Sequence, residues 1–213
     1  PMVPPRWPRW ARIALRIVYG ILIALFAIWA ILFITKGRFL KHPFESIATK
    51  LSHRYVRVEG DFQLYFNPIN VKFLAEGIRV SNPGWASKPD FFHAQLIDTD
   101  IATFSFLFGH RRVNWLTLKG GAVDLEWDEA REHNSWTFGD PDKKGKPLDL
   151  PTITRARFAG TTLRYRDPKS QLSADIAFDT VDTNDTQFKQ AVRFRGNGDA
   201  RGTPFDVVGA LLS

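Results

Sequence analysis

The chain has 213 residues, and at 44% hydrophobic and 24% charged it is far too apolar to be disordered throughout. It contains no cysteine, which excludes disulfides, thiol nucleophiles, iron–sulfur clusters and cysteine-based zinc sites. The net charge of +7 does not point to nucleic acid. Residues 1–58 carry ten Lys/Arg against one acid, Glu45, for +9, while the remainder carries nineteen against twenty-one, for −2.

Residues 1–16 form a basic segment in which Arg6, Arg9, Arg12 and Arg16 are joined by Trp7 and Trp10, placed where an interfacial aromatic belt lies. From Ile17 to Thr35, nineteen consecutive residues carry no charge. As a helix this run reaches roughly 28 Å, close to the ~30 Å hydrocarbon core of a bilayer. It is longer than a signal-peptide core, and Thr35-Lys36-Gly37-Arg38 offers no small-residue cleavage site. A buried core helix, in turn, is rarely apolar on every face. A single membrane-spanning helix is therefore expected over 17–35, with Trp7, Trp10, Arg12, Arg16, Lys36 and Arg38 as interface anchors. Basic residues flank both ends, so orientation rests on the four leading arginines, which favour a cytoplasmic N-terminus with the bulk of the chain outside.

Residues 36–54 read as a membrane-proximal linker ending in a short amphipathic helix over 43–53. Pro43 suits its first turn, and Phe44, Ile47, Ala48 and Leu51 share one face. That helix rests on the membrane surface, caps the first strands, or is a simple packing helix. From residue 55 to 213 the period changes to two. Val123, Leu125 and Trp127 alternate with Asp124, Glu126 and Asp128. Leu163 and Tyr165 alternate with Arg164 and Arg166, and Ile176 and Phe178 with Asp175 and Asp179. One apolar and one wet face per strand predicts an antiparallel β domain. Turns are expected at Asn82-Pro83-Gly84, Gly109-His110, Gly120-Gly121, Asp140-Pro141, Asp167-Pro168 and Gly196-Asn197-Gly198. A faint repeat matches Gly120–Leu125 to Gly160–Tyr165 at a spacing of forty residues, which suggests one hairpin-like unit used twice. The strand-like end at 207–212 has no polar cap, which suggests an edge meant to pair or a longer parent chain.

No catalytic or cofactor-binding pattern emerges. The five histidines form no ligand pair, Asp98 and Asp100 read as a solvated strand face, and Gly196, Gly198 and Gly202 lack the helix a nucleotide loop requires. The expectation is no enzyme, no metal and no cofactor. Eighteen phenylalanines, with Phe104 and Phe106 in the run FSFLF, leave a greasy sheet face to account for. Such a face is buried in a sandwich core, or it curls into a groove that takes acyl chains.

The segment from Arg54 to Phe91 resembles the N-terminal signature of AsmA family proteins in its Val56–Asp61, Glu76–Pro83 and Trp85-Ala86-Ser87 parts. Residues 106–128, Asn134-Ser135-Trp136 and the LPTITRARFAGTTLRYRDP stretch at 150–168 are similar to later elements of the same family. Departures are Ser135 between Asn134 and Trp136, and Gly121 where Pro is frequent. The resemblance implies a bacterial inner-membrane anchor and a curved periplasmic β-groove of the bridge-like lipid-transfer type. It also implies membrane phospholipids as partners and a role in outer-membrane assembly. The expected groove wall comprises Phe104, Phe106, Val123, Leu125, Trp127, Leu163, Tyr165, Ile176 and Phe178; about ten stacked strands would make it roughly 50 Å long. The rival reading is an anchored scaffold whose Phe-rich face or free sheet edge docks another inner-membrane protein or complex.

Overall fold

The computed structural model of the chain describes residues 8–67, 70–103, 112–139, 152–182 and 190–212. Trp7, Phe104, Phe106 and the expected turns at Gly109-His110 and Asp140-Pro141 lie outside them. Helix α1 (Arg9–Thr35) has 27 residues and includes Trp10, Arg12 and Arg16, so it begins about two turns before the uncharged run. It is long and apolar enough to cross a membrane, and none of its residues is buried. Lys36 and Gly37 close it in left-handed conformations, φ 53° and 60°. A 3₁₀ turn at Arg38–Leu40 then leads into α2 (Lys41–Ser52), which starts two residues before the expected Pro43.

Twelve strands follow in a single curved sheet: β1 (Val56–Val58), β2 (Phe62–Asn67), β3 (Asn70–Ser81), β4 (Asp90–Ile101), β5 (Arg112–Lys119) and β6 (Ala122–Glu126), then β7 (Thr152–Ile153), β8 (Ala156–Ala159), β9 (Thr161–Asp167), β10 (Leu172–Asp182), β11 (Gln190–Ala200) and β12 (Thr203–Leu212). Several are pieces of one bent strand. β1 and β2 both run antiparallel to β3, and β5 and β6 both run antiparallel to β4. Gly120-Gly121 is therefore a bulge within a strand, not the hairpin turn expected from its composition. The twelve pieces make eight ranks, so the sheet spans about 34 Å across its strands rather than ~50 Å.

The bulges line up. Gly60 donates to the Glu76 carbonyl, Glu59 to that of Gly77, and Gly120 to that of Ala159. Gly77, Gly120 and Gly160 hold φ of 63°, 55° and 58°, a conformation that side-chain-bearing residues rarely tolerate. A row of left-handed bulges across neighbouring ranks creases and curls the sheet.

The forty-residue repeat becomes a register. Val123 stands beside Leu163, Leu125 beside Tyr165, and Leu118 beside Phe158. Because the repeated unit is a bent strand laid next to its copy, β5 with β7 and β8, and β6 with β9, are parallel pairs within an otherwise antiparallel sheet. The Gly196-Asn197-Gly198 turn is also corrected, since these residues sit in mid-β11. A Cβ on Gly198 would fall 2.5 Å from the Phe205 ring, so the glycines make room for cross-strand side chains. The hairpin turn is instead Arg201-Gly202, with φ of 53° and 79° and Ala200 opposite Thr203.

Candidate functional site: an apolar sheet face and its buttress

The register defines one continuous apolar face. Val58, Ile78 and Ala94 lie side by side on it, as do Phe62, Ala75, Ile97 and Leu118. It continues through Phe92, Val123, Leu163 and Ile176, and through Leu125, Tyr165 and Ala174. Phe178 stands opposite Phe194, their rings 6.2 Å apart. Seven of the nine residues proposed from sequence for the wall thus lie among the described residues. Six of them are matched by register on this face, and the seventh, Trp127, stands at its end.

The face is covered unevenly. Phe44 of α2 packs on Phe62 and Phe73, with ring centroids 5.1 and 5.4 Å away, and closes the sector over β1–β4. Every buried apolar residue of the described chain lies between Val56 and Leu118. Beyond it, Val123, Leu125, Leu163, Ile176, Phe178, Phe194 and Val207 are only half-buried, although they alternate with exposed or charged neighbours as core residues do. No described helix or second sheet lies over that sector. At one end Trp136 packs on Trp127 and Tyr165, while Arg131 lies over Trp127 and pairs with the buried Asp167.

The opposite face is a buttress that sequence reading did not anticipate. Asp124 and Glu126 are buried rather than solvated, because residues 82–89 fold over them. Asn82 donates to Asp124 at 2.8 Å, and the Ser87 amide and hydroxyl donate to Glu126 at 2.9 and 2.8 Å. Arg164 bridges Ser87 and Asp124, and Arg166 pairs with Glu126 at 2.5 Å. Burial pushes the Asp124 carboxyl up. It pushes Glu126 up as well, but the bonds from Ser87 and Arg166 outweigh it and hold that carboxyl below its usual range. The forty-residue register carried the signal, since it sets Asp124 against Arg164 and Glu126 against Arg166. Residues from most of the motifs that carried the sequence resemblance meet here, among them Asn82, Ser87, Glu126, Ser135 and Arg166.

The span is joined firmly to the sheet edge. Leu64 donates to the Lys36 carbonyl at 3.0 Å, Phe33 meets Tyr65, and Arg38 grips Asp61 through bonds of 2.8 and 3.1 Å. Arg38, one of the expected interface anchors, thus also ties the end of the span to the sheet. Glu45 accepts from the Val58 amide, Thr49 from Val56, and Lys41 donates to the Glu59 and Gly60 carbonyls. The short helix thus caps the first strands, with Ile47 and Leu51 left exposed on its outer side. The side chains of α2 satisfy the free edge of β1, whereas β12 has no partner strand on its outer side among the described residues. No group of three or more metal-ligating side chains occurs among the described residues; Asp98 pairs with Lys72, and Asp100 accepts from Asn114.

A helix long and apolar enough to cross a membrane is thus docked on the edge of an open, curved sheet with one apolar face. The chain belongs to the AsmA family, whose model matches residues 8–192. No curated protein and no solved structure matches it.

Proposed function

We propose that this protein is anchored in a bacterial inner membrane with its N-terminus in the cytoplasm. Its periplasmic sheet shields acyl chains along the apolar face and supports phospholipid transfer and outer-membrane assembly. The observation that carries the reading is the half-exposed apolar surface from β6 to β12, which continues the buried face under α2. Each methylene moved from water onto such a surface gains about 0.8 kcal/mol, while a methylene moved from the bilayer interior gains almost nothing. A surface that holds lipid against water without trapping it suits a conduit. The membership in a family linked to bridge-like lipid transfer supports the same reading, and a non-enzymatic role agrees with the side chains of the face.

The test is charge placed on either side of one strand. Ile176→Arg puts a guanidinium on the apolar face, and Asp175→Arg puts one on the exposed face. The reading expects phospholipid co-purifying with the full chain to fall sharply in the first variant and to hold in the second. Equal lipid in both, or a stoichiometric protein partner with no lipid, would favour the scaffold.

A further inference from the structure

Between α2 and the sheet lies a recess of about 330 Å³, lined by Phe44 and Ala48 of α2, Ile78 and Val80 of β3, Phe92 of β4, and Phe138. Its polar side chain, Ser52, already donates to the Ala48 carbonyl at 2.6 Å. The recess belongs to the anchored edge of the sheet and is continuous with the open face, because Phe92 stands beside Val123, which stands beside Leu163.

At its rim is Arg54. The guanidinium lies 5.8 Å from the Phe138 ring centroid and reaches two uncharged main-chain acceptors, the carbonyls of Ser135 at 3.4 Å and Thr137 at 3.2 Å. Both bonds use Nη2 alone, and no carboxylate of the described residues pairs with this cation. Burial lowers its pKa. A half-buried cation beside the Phe138 wall of an apolar recess matches a ligand with an anionic head and a hydrocarbon tail. A guanidinium whose Nε and Nη1 donors meet no acceptor among the described residues suits a phosphate in particular.

We propose that this recess is a phospholipid-binding station at the start of the groove, with one acyl chain beneath α2 and the phosphate of the headgroup on Arg54. The assignment rests on the groove reading and adds the site and the headgroup chemistry. α2 is then part of the lipid path, and the lipid's charge is sensed where the span meets the sheet.

The test uses the full chain in detergent micelles with phosphatidylglycerol and, separately, a diacylglycerol with the same chains. Benzoylphenylalanine is placed at Phe138 or at Leu163, and adducts are scored by mass spectrometry. Phosphatidylglycerol adducts are expected at both positions. Ala48→Trp fills the recess and should remove the Phe138 adduct while sparing the one at Leu163. Arg54→Gln should cut the phosphatidylglycerol yield at Phe138 about tenfold relative to diacylglycerol, and Arg54→Lys should restore much of it. A merely structural Arg54 would lower both lipids alike. Lipid at Leu163 with none at Phe138, or a Phe138 adduct to the chain's own residues 140–151, overturns the station and leaves the groove standing. Lipid at neither position overturns both. A phosphatidylglycerol preference untouched by Arg54→Gln overturns the headgroup assignment.

Discussion

Replacing Gly37 with alanine attacks the joint between span and sheet without touching either. The residue holds φ of 60°, and a Cβ there would overlap the Leu64 carbonyl oxygen. Left-handed backbone costs a non-glycine residue roughly 1–2 kcal/mol. Relief of the overlap stretches the bond from the Leu64 amide to the Lys36 carbonyl, which is worth about 1 kcal/mol. The joint should therefore weaken by about 2–3 kcal/mol, which is about 30- to 150-fold in its opening equilibrium. Hydrogen exchange on the β2 peptide of the micellar protein reads this at the Leu64 amide, with exchange at the Ala75 amide of the buried core left slow. Gly20→Ala is the control, because nothing lies within 4 Å of the added methyl group in mid-span. Unchanged protection at Leu64 in Gly37→Ala would refute the rigid joint.

Three further outcomes follow from the geometry. The hydrogen bonds from Arg38 and then Gln63 lower the Asp61 pKa from 3.8 to about 2. The ion pair is thus fully formed above about pH 4 and is lost as pH falls through about 2; a carboxyl-carbon NMR titration should show that midpoint, and Arg38→Gln should raise it. Gly198→Val forces a side chain into the Phe205 ring and should cost about 1–3 kcal/mol in thermal unfolding. Gly160→Ala meets no atom and should cost only about 1–2 kcal/mol, the conformational part; equal and negligible effects would contradict the crease and the glycine clearance alike. Glu126→Gln leaves Arg166 without its charge partner, and with that guanidinium still reachable by water the loss should be about 2–3 kcal/mol, read by denaturant unfolding.

The alternation of Leu163, Tyr165, Ile176 and Phe178 was legible because a strand repeats every two residues and the observed register keeps that phase. The span was legible because nineteen uncharged residues have few alternative uses in a helix. Glycine was the ambiguous letter. The same residue bends a strand at Gly120, clears an aromatic ring at Gly198 and turns a hairpin at Gly202, and composition alone cannot separate these roles. Asp124 and Glu126 looked solvated because their burial depends on residues 82–89, some forty positions away in the chain. Capping of the first strands was open to the short helix, but that Glu45 and Thr49 do it was not legible, since the amides they accept from belong to a different element.

The most direct test of the groove is in vivo photo-crosslinking with benzoylphenylalanine at Leu163 and, one residue away on the exposed face, at Thr162. The account predicts phospholipid adducts at Leu163 and none at Thr162. Protein adducts without lipid at Leu163, or silence there, would contradict it.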